Sequence, residues 1–482
     1  LRSVPRTLAD SDWNLVGLGE VDAGALGRNL GTPYTDIPDP FGEVDSYGDH
    51  FTALLAESAD RIDVPVEMVS NTDLYESGAF DEAVRMALER RETARDVLST
   101  YQDSVDDDYV PFMPQCAECG KLTGRVRSVD LDAETVEYVC TDLEAGDRTI
   151  AGCGHEGTAT FREGKLPWRF EWPAQWRVLG VDFEPFGKDH AEGSWPSGVE
   201  IAEQVFDIDP PEPMTYEWFT LNGEPLSSSA GNVVTVDEVL DLLEPEVLRY
   251  FFVLNPRKAR DFDVSRLDQL VDDFDRFERL YYGETADEDV GPLAERAYPF
   301  VMDTDLALPD AAGETAESRR RFIDDEFASR VRLPYTFAAV LGMVDDEDFR
   351  ERLARDEGHF VDGTPAWAVE TALERVPLAR NWAEREDNEY NYRLQSSLPD
   401  ADFEADVAAA LDDLADFVAA GHAGEEIQGE MYETARRHDV EVSDFFAAGY
   451  RLFFDDTQGP RLGEFLGDLE RDFVVRRLRR EA

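Results

Sequence analysis

All four cysteines of the chain lie within one short window, which requires a local fold that brings their sulfur atoms together. They are Cys116, Cys119, Cys140 and Cys153 in a chain of 482 residues. A disulfide framework spreads its cysteines over a small secreted chain, whereas a Cys-x2-Cys pair followed by two further cysteines is typical of a zinc site. The spacing therefore predicts a zinc-binding module.

The ligand set of this module has alternatives. The first alternative is four cysteine ligands. In the second, His155, two residues after Cys153, replaces one thiolate, and in the third the cysteines bind no metal. Gly120 and Gly154 each follow a cysteine directly and give the backbone freedom to turn the sulfur atoms towards one ion. Four protein ligands leave no open coordination position, so a metal here is predicted to be structural.

The chain is strongly acidic and poor in lysine. It carries 46 Lys+Arg against 106 Asp+Glu, a formal net charge of −60, and its lysines are Lys121, Lys165, Lys188 and Lys258. In ordinary salt such self-repulsion destabilises a compact state and repels phosphate backbones. At about 1 M ionic strength the Debye length is about 3 Å, so only close charges interact. The composition indicates adaptation to a halophile cytosol and says little about partners.

The length and the hydrophobic pattern indicate a globular protein of about three domains. Hydrophobic residues make up 42% of the chain, enough for substantial cores. No run approaches the roughly 18 apolar residues of a membrane span, and the first residues do not resemble a secretory signal. These features predict a cytoplasmic protein without a membrane partner.

Two loops have the composition of a nucleotide-binding site. The first, 187–190, follows a predicted buried strand at 177–186 and so lies where the sheets of α/β proteins bind ligands. The second is the serine-rich turn 225–232, which precedes a predicted capping box of Thr235 and Glu238. Hydroxyls and free amides before a helix suit phosphate, although such a turn is more often an ordinary loop.

The residues from about 261 onward have the apolar spacing of helices. Clear examples are 403–420, which stops at Gly421, and 443–454. Near the end of the chain lies its densest basic cluster, for which contact with a nucleic acid and a simple helix terminus are the alternatives. The arginines of this cluster are Arg471, Arg476, Arg477, Arg479 and Arg480.

Several blocks, in this order along the chain, resemble the class I lysyl-tRNA synthetases. The blocks are 37–42 with 46–47, 74–78, the cysteine pair at 116–119, 165–176, 187–190 and 227–232. The resemblance implies an α/β Rossmann-type catalytic domain with a zinc-binding insertion, followed by an all-α C-terminal half. It also implies activation of lysine with ATP and Mg2+ to lysyl-adenylate, transfer to tRNA(Lys), and a structural Zn2+.

The resemblance and the patterns together predict five segments. Residues 1–115 are the remainder of the first Rossmann half with a connective insertion, and 116–164 are the zinc-binding insertion. Residues 165–260 form the second Rossmann half with the nucleotide-binding loops. A connecting helical domain at 261–330 precedes a helical anticodon-binding domain at 331–482. We expect a monomer.

The resemblance assigns three groups of site residues. The catalytic group is Ser227, Ser228 and Ser229. The ATP-binding group is Gly187, Asp189, Ala230, Gly231 and Asn232. The lysine-binding group is Trp168, His190 and Tyr216. An aromatic face can hold an alkyl stem or an ammonium, and a neutral imidazole can accept a hydrogen bond.

Each of these residues also has an ordinary structural interpretation. A tryptophan such as Trp168, Trp172 or Trp176 is usually packed in a core. Asp189 could cap a helix, and His190 could be a surface histidine. The resemblance favours the functional interpretation for Trp168, Asp189 and His190 and leaves the other two tryptophans as packing residues.

The serine-rich loop departs from the Lys-Met-Ser-Lys-Ser signature of the family. Pro225 and Ser228 stand where the signature has its two lysines, so the loop contains no cation. Neutralisation of the pyrophosphate is then expected from backbone amides, Mg2+ and cations such as Arg257, Lys258 or Arg260.

The family signature His-x-Gly-His is not found among the six histidines of the chain. Residues 1–8 resemble family sequence that lies after this signature, so the resemblance implies an N-terminally truncated catalytic domain. We therefore expect that this chain, as written, does not charge tRNA. The alternative functions are another class I synthetase, of the glutamyl type, and a non-catalytic tRNA-binding protein that retains the fold.

Overall fold

The structure is a computed structural model in which the chain divides into two compact units. The described residues are 27–102, 105–122, 124–145, 148–226, 232–302, 331–388, 390–395, 397–422, 424–459 and 461–481. The first unit comprises the described residues of Leu1–Val234 together with Leu254–Asp263. The second comprises those of Thr235–Val253 and Val264–Ala482.

The first unit mixes helices with short strands. After a 3-10 turn at Tyr34–Asp36, its helices are α1 (Tyr47–Arg61), α2 (Asn71–Glu76), α3 (Asp81–Glu89), α4 (Arg91–Tyr101), α5 (Trp168–Leu179), α6 (Lys188–Ala191) and α7 (Trp195–Gln204). Its strands are β1 (Met113–Pro114), β2 (Gly124–Asp130), β3 (Thr135–Cys140), β4 (Leu143–Ala145), β5 (Arg148–Ile150), β6 (Glu156–Thr160), β7 (Gly164–Lys165), β8 (Phe183–Gly187), β9 (Glu212–Tyr216), β10 (Phe219–Leu221), β11 (Glu224–Pro225) and β12 (Arg260–Phe262).

The strands form five small sheets instead of one large one. An antiparallel sheet in the order β2-β3-β6 and the pairs β1-β7 and β4-β5 make up the cysteine-containing region. Strands β8 and β9 pair in parallel, and β10 pairs in parallel with β12 and antiparallel with β11. Parallel pairing requires a crossover, which α6 and α7 provide between β8 and β9.

The core of the first unit connects the cysteine-containing region to the helices around it. Phe80, Leu88, Tyr138 and Phe161 are almost fully buried in one cluster that also includes Cys116. The sequence prediction of a strand at 177–186 is wrong in its first half. Helix α5 continues to Leu179, where Gly180 ends it in a left-handed conformation, and the strand begins only at Phe183.

The regular elements in the described part of the second unit are helices. They are α8 (Val236–Leu240), α9 (Pro245–Val253), a 3-10 turn at Val264–Arg266, α10 (Leu267–Tyr281), α11 (Gly291–Met302), α12 (Tyr335–Leu341), α13 (Glu347–Asp356), α14 (Ala366–Leu373), α15 (Arg375–Glu386), α16 (Ala405–Ala419), α17 (Gly424–Arg437), α18 (Val442–Phe454), α19 (Leu462–Asp468) and α20 (Arg471–Leu478). The predicted capping box is confirmed, because Thr235 and Glu238 bond each other's backbone amides.

Candidate functional site

The sulfur atoms of the four cysteines converge on one point. All four lie within 4.8 Å of one another, with Sγ–Sγ distances of 3.6 Å from Cys116 to Cys153 and 3.7 Å from Cys119 to Cys140. Zn–S bonds of about 2.3 Å place the sulfur atoms of a tetrahedral site about 3.8 Å apart, so the observed spacing fits zinc. Burial raises the pKa of the Cys119 thiol to about 12.

Local backbone geometry produces this convergence. Cys116 and Cys119 flank a turn that ends at Gly120, whose φ of +72° favours glycine. Cys140 is the last residue of β3, and the Cys153 amide donates to its sulfur over 3.3 Å. His155 is not a member of the group, and its ring lies beside Tyr138 with centroids 6.2 Å apart. The geometry therefore favours four cysteines over three cysteines and a histidine.

A second cluster lies at the carboxyl ends of the parallel strands β8 and β9. Gly187 and Tyr216 are the last residues of these strands and are paired in register. Asp189 and His190 follow on the short helix α6. A Cβ at Gly187 would lie 2.8 Å from a carboxylate oxygen of Asp189 and 3.5 Å from the Tyr216 ring, so the Asp189 carboxylate and the Tyr216 ring both lie close to this backbone position. The structure thus brings together four residues that the sequence separates by up to 29 positions.

The aromatic residues of α5 form one wall beside His190. The ring centroid of His190 lies 6.1 Å from Trp168 and 5.5 Å from Trp172. Trp172 and Trp176 are buried in a cluster with Phe186, whereas Trp168 is half-buried at its edge. This arrangement suits Trp172 and Trp176 to packing and leaves Trp168 accessible beside the imidazole.

Two carboxylates make hydrogen bonds within this aromatic region. Glu184 accepts hydrogen bonds from Nε1 of Trp172 at 3.3 Å and of Trp176 at 3.0 Å. Burial raises the pKa of Glu184, although the two indole hydrogen bonds act in the opposite direction. Glu171 is 3% exposed and accepts from the Tyr75 hydroxyl at 3.2 Å and from Lys165 Nζ at 2.7 Å.

Sequence reasoning missed the supporting residues Ser194, Glu184 and Glu171. Ser194 Oγ lies 2.8 Å from His190 Nδ1. The only signal that could have found it is the spacing of four residues from His190, which places two side chains on one helical face but is common by chance. Glu171 lies in the block 165–176 and Glu184 in β8, and neither position carried a further signal.

The predicted phosphate-binding residues are placed only in part. Ser227, Ser228, Ser229, Ala230 and Gly231 lie outside the described residues. Asn232 Nδ2 donates to the carbonyls of Glu224 at 3.3 Å and Pro225 at 2.9 Å, so it joins the two ends of the serine-rich turn. Arg260, one of the expected cations, directs Nη1 to the Leu254 carbonyl at 2.5 Å.

Comparison with known families defines the class of protein. Residues 18–299 match the family model described as tRNA synthetases class I (K). The chain belongs to this family. Its fold class is accordingly that of the class I synthetases.

Individual relatives are lysine–tRNA ligases. The chain is 65% identical over 482 residues to the one from Haloarcula marismortui, 63% to that from Natronomonas pharaonis and 59% to that from Halobacterium salinarum. Each match covers 100% of this chain and 85% of the relative. A glutamate tRNA ligase structure from Elizabethkingia meningosepticum matches with a TM-score of 0.36 and 11% identity, covering 99% of this chain and 95% of that one, too low to support any inference.

The described helices do not include a membrane span. None of them combines the length and the apolar character that a bilayer crossing requires.

Proposed function

We propose that this protein is a lysine–tRNA ligase that activates lysine with ATP and transfers it to tRNA(Lys). The observation that carries the proposal is the convergence of Trp168, Gly187, Asp189, His190 and Tyr216 at the carboxyl ends of β8 and β9. Ligands of α/β proteins bind at this edge of a sheet. The names of the relatives identify the same reaction.

On the amino-acid side of the site, we assign Trp168, His190 and Tyr216 to lysine. The indole face and the phenol ring can hold the apolar stem and the ammonium by cation–π contact, worth about 0.5–2 kcal/mol. An imidazole nitrogen can accept a hydrogen bond from the ammonium. The Asp189 side chain is 55% exposed, which makes its carboxylate available to a ligand.

On the nucleotide side, Gly187 allows close backbone approach and Asp189 can accept hydrogen bonds from sugar hydroxyls. We assign the phosphates to Ser227, Ser228 and Ser229 with Ala230, Gly231 and Asn232. Mg2+ would neutralise the phosphate oxygens of ATP when bound. The loop itself contains no cation, so backbone amides and nearby cations such as Arg257, Lys258 or Arg260 would supply the remaining stabilisation.

The four cysteines would hold a structural Zn2+. Their sulfur spacing matches a closed tetrahedral site, and such a site has no open position for substrate. Zinc would link β3 and the loop before β6 to the turn at 116–119. Such a link would stabilise the folded state, because the complete metal site is rarely present in an unfolded chain. We further propose a cytoplasmic monomer whose residues 331–482 read the anticodon.

Equilibrium binding tests the amino-acid assignment. Isothermal titration calorimetry in molar KCl should show binding of lysine and none of glutamate. Glutamate binding without lysine binding would indicate the glutamyl type, and tRNA binding without either amino acid would indicate the non-catalytic alternative.

Catalysis is a separate measurement. Aminoacylation of tRNA(Lys) with lysine and ATP, run beside the Haloarcula marismortui relative, tests the prediction that this chain alone does not charge tRNA. A rate equal to that of the relative would show that prediction to be wrong while supporting the proposed function.

A further inference from the structure

Ser194 is a buried serine whose hydroxyl faces an imidazole. It is 5% exposed and stands at the N-cap of α7, yet its side chain caps no backbone amide. Serine at this position ordinarily accepts a hydrogen bond from the N2 or N3 amide. Here Oγ lies 2.8 Å from Nδ1 of His190 instead. The hydroxyl therefore makes a hydrogen bond with the histidine instead of capping the helix.

A chain of hydrogen bonds fixes Ser194 itself. Its carbonyl accepts from Ser197 Oγ at 2.9 Å, and Ser197 Oγ accepts from Arg169 Nη1 at 2.7 Å. Arg169 directly follows Trp168 on α5 and also donates to the Gly193 carbonyl at 3.2 Å. The partner of His190 is thus tied to the helix that carries Trp168, which sets the imidazole relative to the indole.

The contacts of His190 distinguish its two ring nitrogens. A neutral imidazole has one donor and one acceptor nitrogen. Nδ1 is bonded to Ser194, whereas Nε2 lies 3.7 Å from the nearest Asp189 oxygen, beyond hydrogen-bond distance. An ammonium has three donors and no acceptor, so it can bond Nε2 only when that nitrogen carries no proton. The proton must then be on Nδ1, which can donate a hydrogen bond to Ser194 Oγ.

We propose that Ser194 is a positioning residue for lysine recognition, which accepts a hydrogen bond from the protonated Nδ1 of His190 and leaves Nε2 to accept a hydrogen bond from the ammonium of the bound lysine. The inference rests on the proposed function and adds to it the residue that selects the tautomer. A carboxylate ligand would need the opposite tautomer, with Nε2 protonated and the Ser194 hydroxyl donating to Nδ1.

Substitution of Ser194 tests the role. Ser194→Ala should raise the lysine dissociation constant about two- to tenfold, the effect of one lost hydrogen bond, and leave the ATP dissociation constant unchanged. The matched control is Ser70→Ala, since Ser70 is an N-cap serine whose Oγ accepts from the Asp73 amide at 3.2 Å. That variant should lower stability without changing lysine affinity. Equal lysine affinity in Ser194→Ala and the wild type would overturn the proposal.

Nitrogen-15 spectroscopy of the full chain gives a readout that a merely structural role would not change. At about pH 8, where imidazoles are ordinarily neutral, the lysine-bound protein should show His190 with Nδ1 protonated and Nε2 unprotonated. His190→Gln assigns the signals. Ser194→Ala should yield a mixture of both tautomers, and an Nε2-protonated ring in the lysine-bound wild type would overturn the proposal.

The two proposals fail in different ways. A wild-type chain that binds no lysine overturns the proposed function and the ligand assignment together. If the wild type binds lysine, but Ser194→Ala changes neither the lysine affinity nor the tautomer of His190, only the role of Ser194 is overturned.

Discussion

Single side chains in the site differ mainly in what surrounds them. Trp172 and Trp176 are 5% and 2% exposed and donate hydrogen bonds to Glu184, so both packing and hydrogen bonding fix their rings. Trp168 stacks on Trp172 with ring centroids 5.6 Å apart, and the His190 ring lies beside both, 6.1 Å from Trp168 and 5.5 Å from Trp172. Substitution of the buried pair would disturb the core, whereas substitution of Trp168 should act on the ligand.

We predict that Trp168→Ala weakens lysine binding and spares ATP binding. Loss of a cation–π contact of about 0.5–2 kcal/mol corresponds to roughly a two- to thirtyfold rise in the lysine dissociation constant. Calorimetric titration with each ligand measures both effects. Trp367→Ala is the control, because Trp367 is 46% exposed in the second unit and its loss should change neither constant. Equal weakening of lysine and ATP binding would assign Trp168 to packing.

A second residue-scale prediction concerns acid. Because burial raises the pKa of Glu184 above its ordinary value of 4.5, the carboxyl stabilises the fold most when protonated, and this contribution is lost as the pH rises through the elevated value. Glu184→Gln cannot titrate. The stability of Glu184→Gln relative to the wild type should therefore increase from pH 4 to pH 7 in urea unfolding. A relative stability that falls over this range would show that the indole hydrogen bonds outweigh burial.

At the scale of elements, buried ion pairs join helices of the second unit. Arg375 at the start of α15 is 3% exposed and binds both Asp275 oxygens at 2.7 and 2.9 Å. It also donates to Glu244 at 2.6 Å, just before α9. Arg332 pairs with Glu278 on α10 at 2.6 Å. One arginine thus fixes α15 to α10 and to the segment before α9.

We predict that Arg375→Met destabilises the protein by about 3–5 kcal/mol, since it removes the partner of the buried Asp275 and of the half-buried Glu244. Urea unfolding followed by helical circular dichroism measures the loss. Arg355→Ala is the control, because Arg355 pairs with Glu351 on the surface of α13 and such i,i+4 pairs contribute about 0.3–0.5 kcal/mol. Similar losses in the two variants would contradict the dominant role of the buried network.

The cysteine module offers the other prediction at this scale. Metal analysis of protein purified without chelator should return one zinc per chain, and chelation should lower the thermal midpoint. Cys140→Ser should lose the metal, while His155→Ala should retain it because His155 lies outside the cluster. Metal loss in His155→Ala would favour a site of three cysteines and His155. Absence of zinc in the wild type would contradict the assignment of a zinc site.

For the whole molecule, the net charge of −60 sets the conditions under which the fold persists. The few lysines make specific contacts instead of covering the surface. Lys165 bonds Glu171 at 2.7 Å, Lys188 bonds Glu217 at 2.8 Å, and Lys121 donates to the Ala151 carbonyl at 3.0 Å. Most carboxylates must therefore be screened by solvent ions.

We predict that the thermal midpoint rises steeply with KCl. The Debye length falls from about 10 Å at 0.1 M to about 3 Å at 1 M, which removes most repulsion between exposed carboxylates. Differential scanning calorimetry across this range measures the effect. A midpoint that does not change between 0.1 and about 1 M KCl would show that the acidic surface imposes no cost in ordinary salt.

The sequence by itself determined the features whose causes are local. The cysteine spacing specified one cluster, and the apolar periodicity of 403–420 specified a helix, observed at Ala405–Ala419. Thr235 and Glu238 predicted the start of a helix, because the hydrogen bonds of a capping box join residues three positions apart. The family followed from several blocks in order. Each of the first three signals is complete within a short stretch of chain, and the family signal is a series of such stretches.

Only the tertiary structure decided which distant side chains meet. Arg477, part of the basic cluster at the end of the chain, is buried and donates to the carbonyls of Ser397 and Gln395, so packing holds its guanidinium inside the described structure. Ser194 became the partner of His190 through the geometry of α6 and α7. Composition and periodicity record how polar a position is, but the partner of a polar group depends on packing between segments far apart in sequence, which no local pattern encodes.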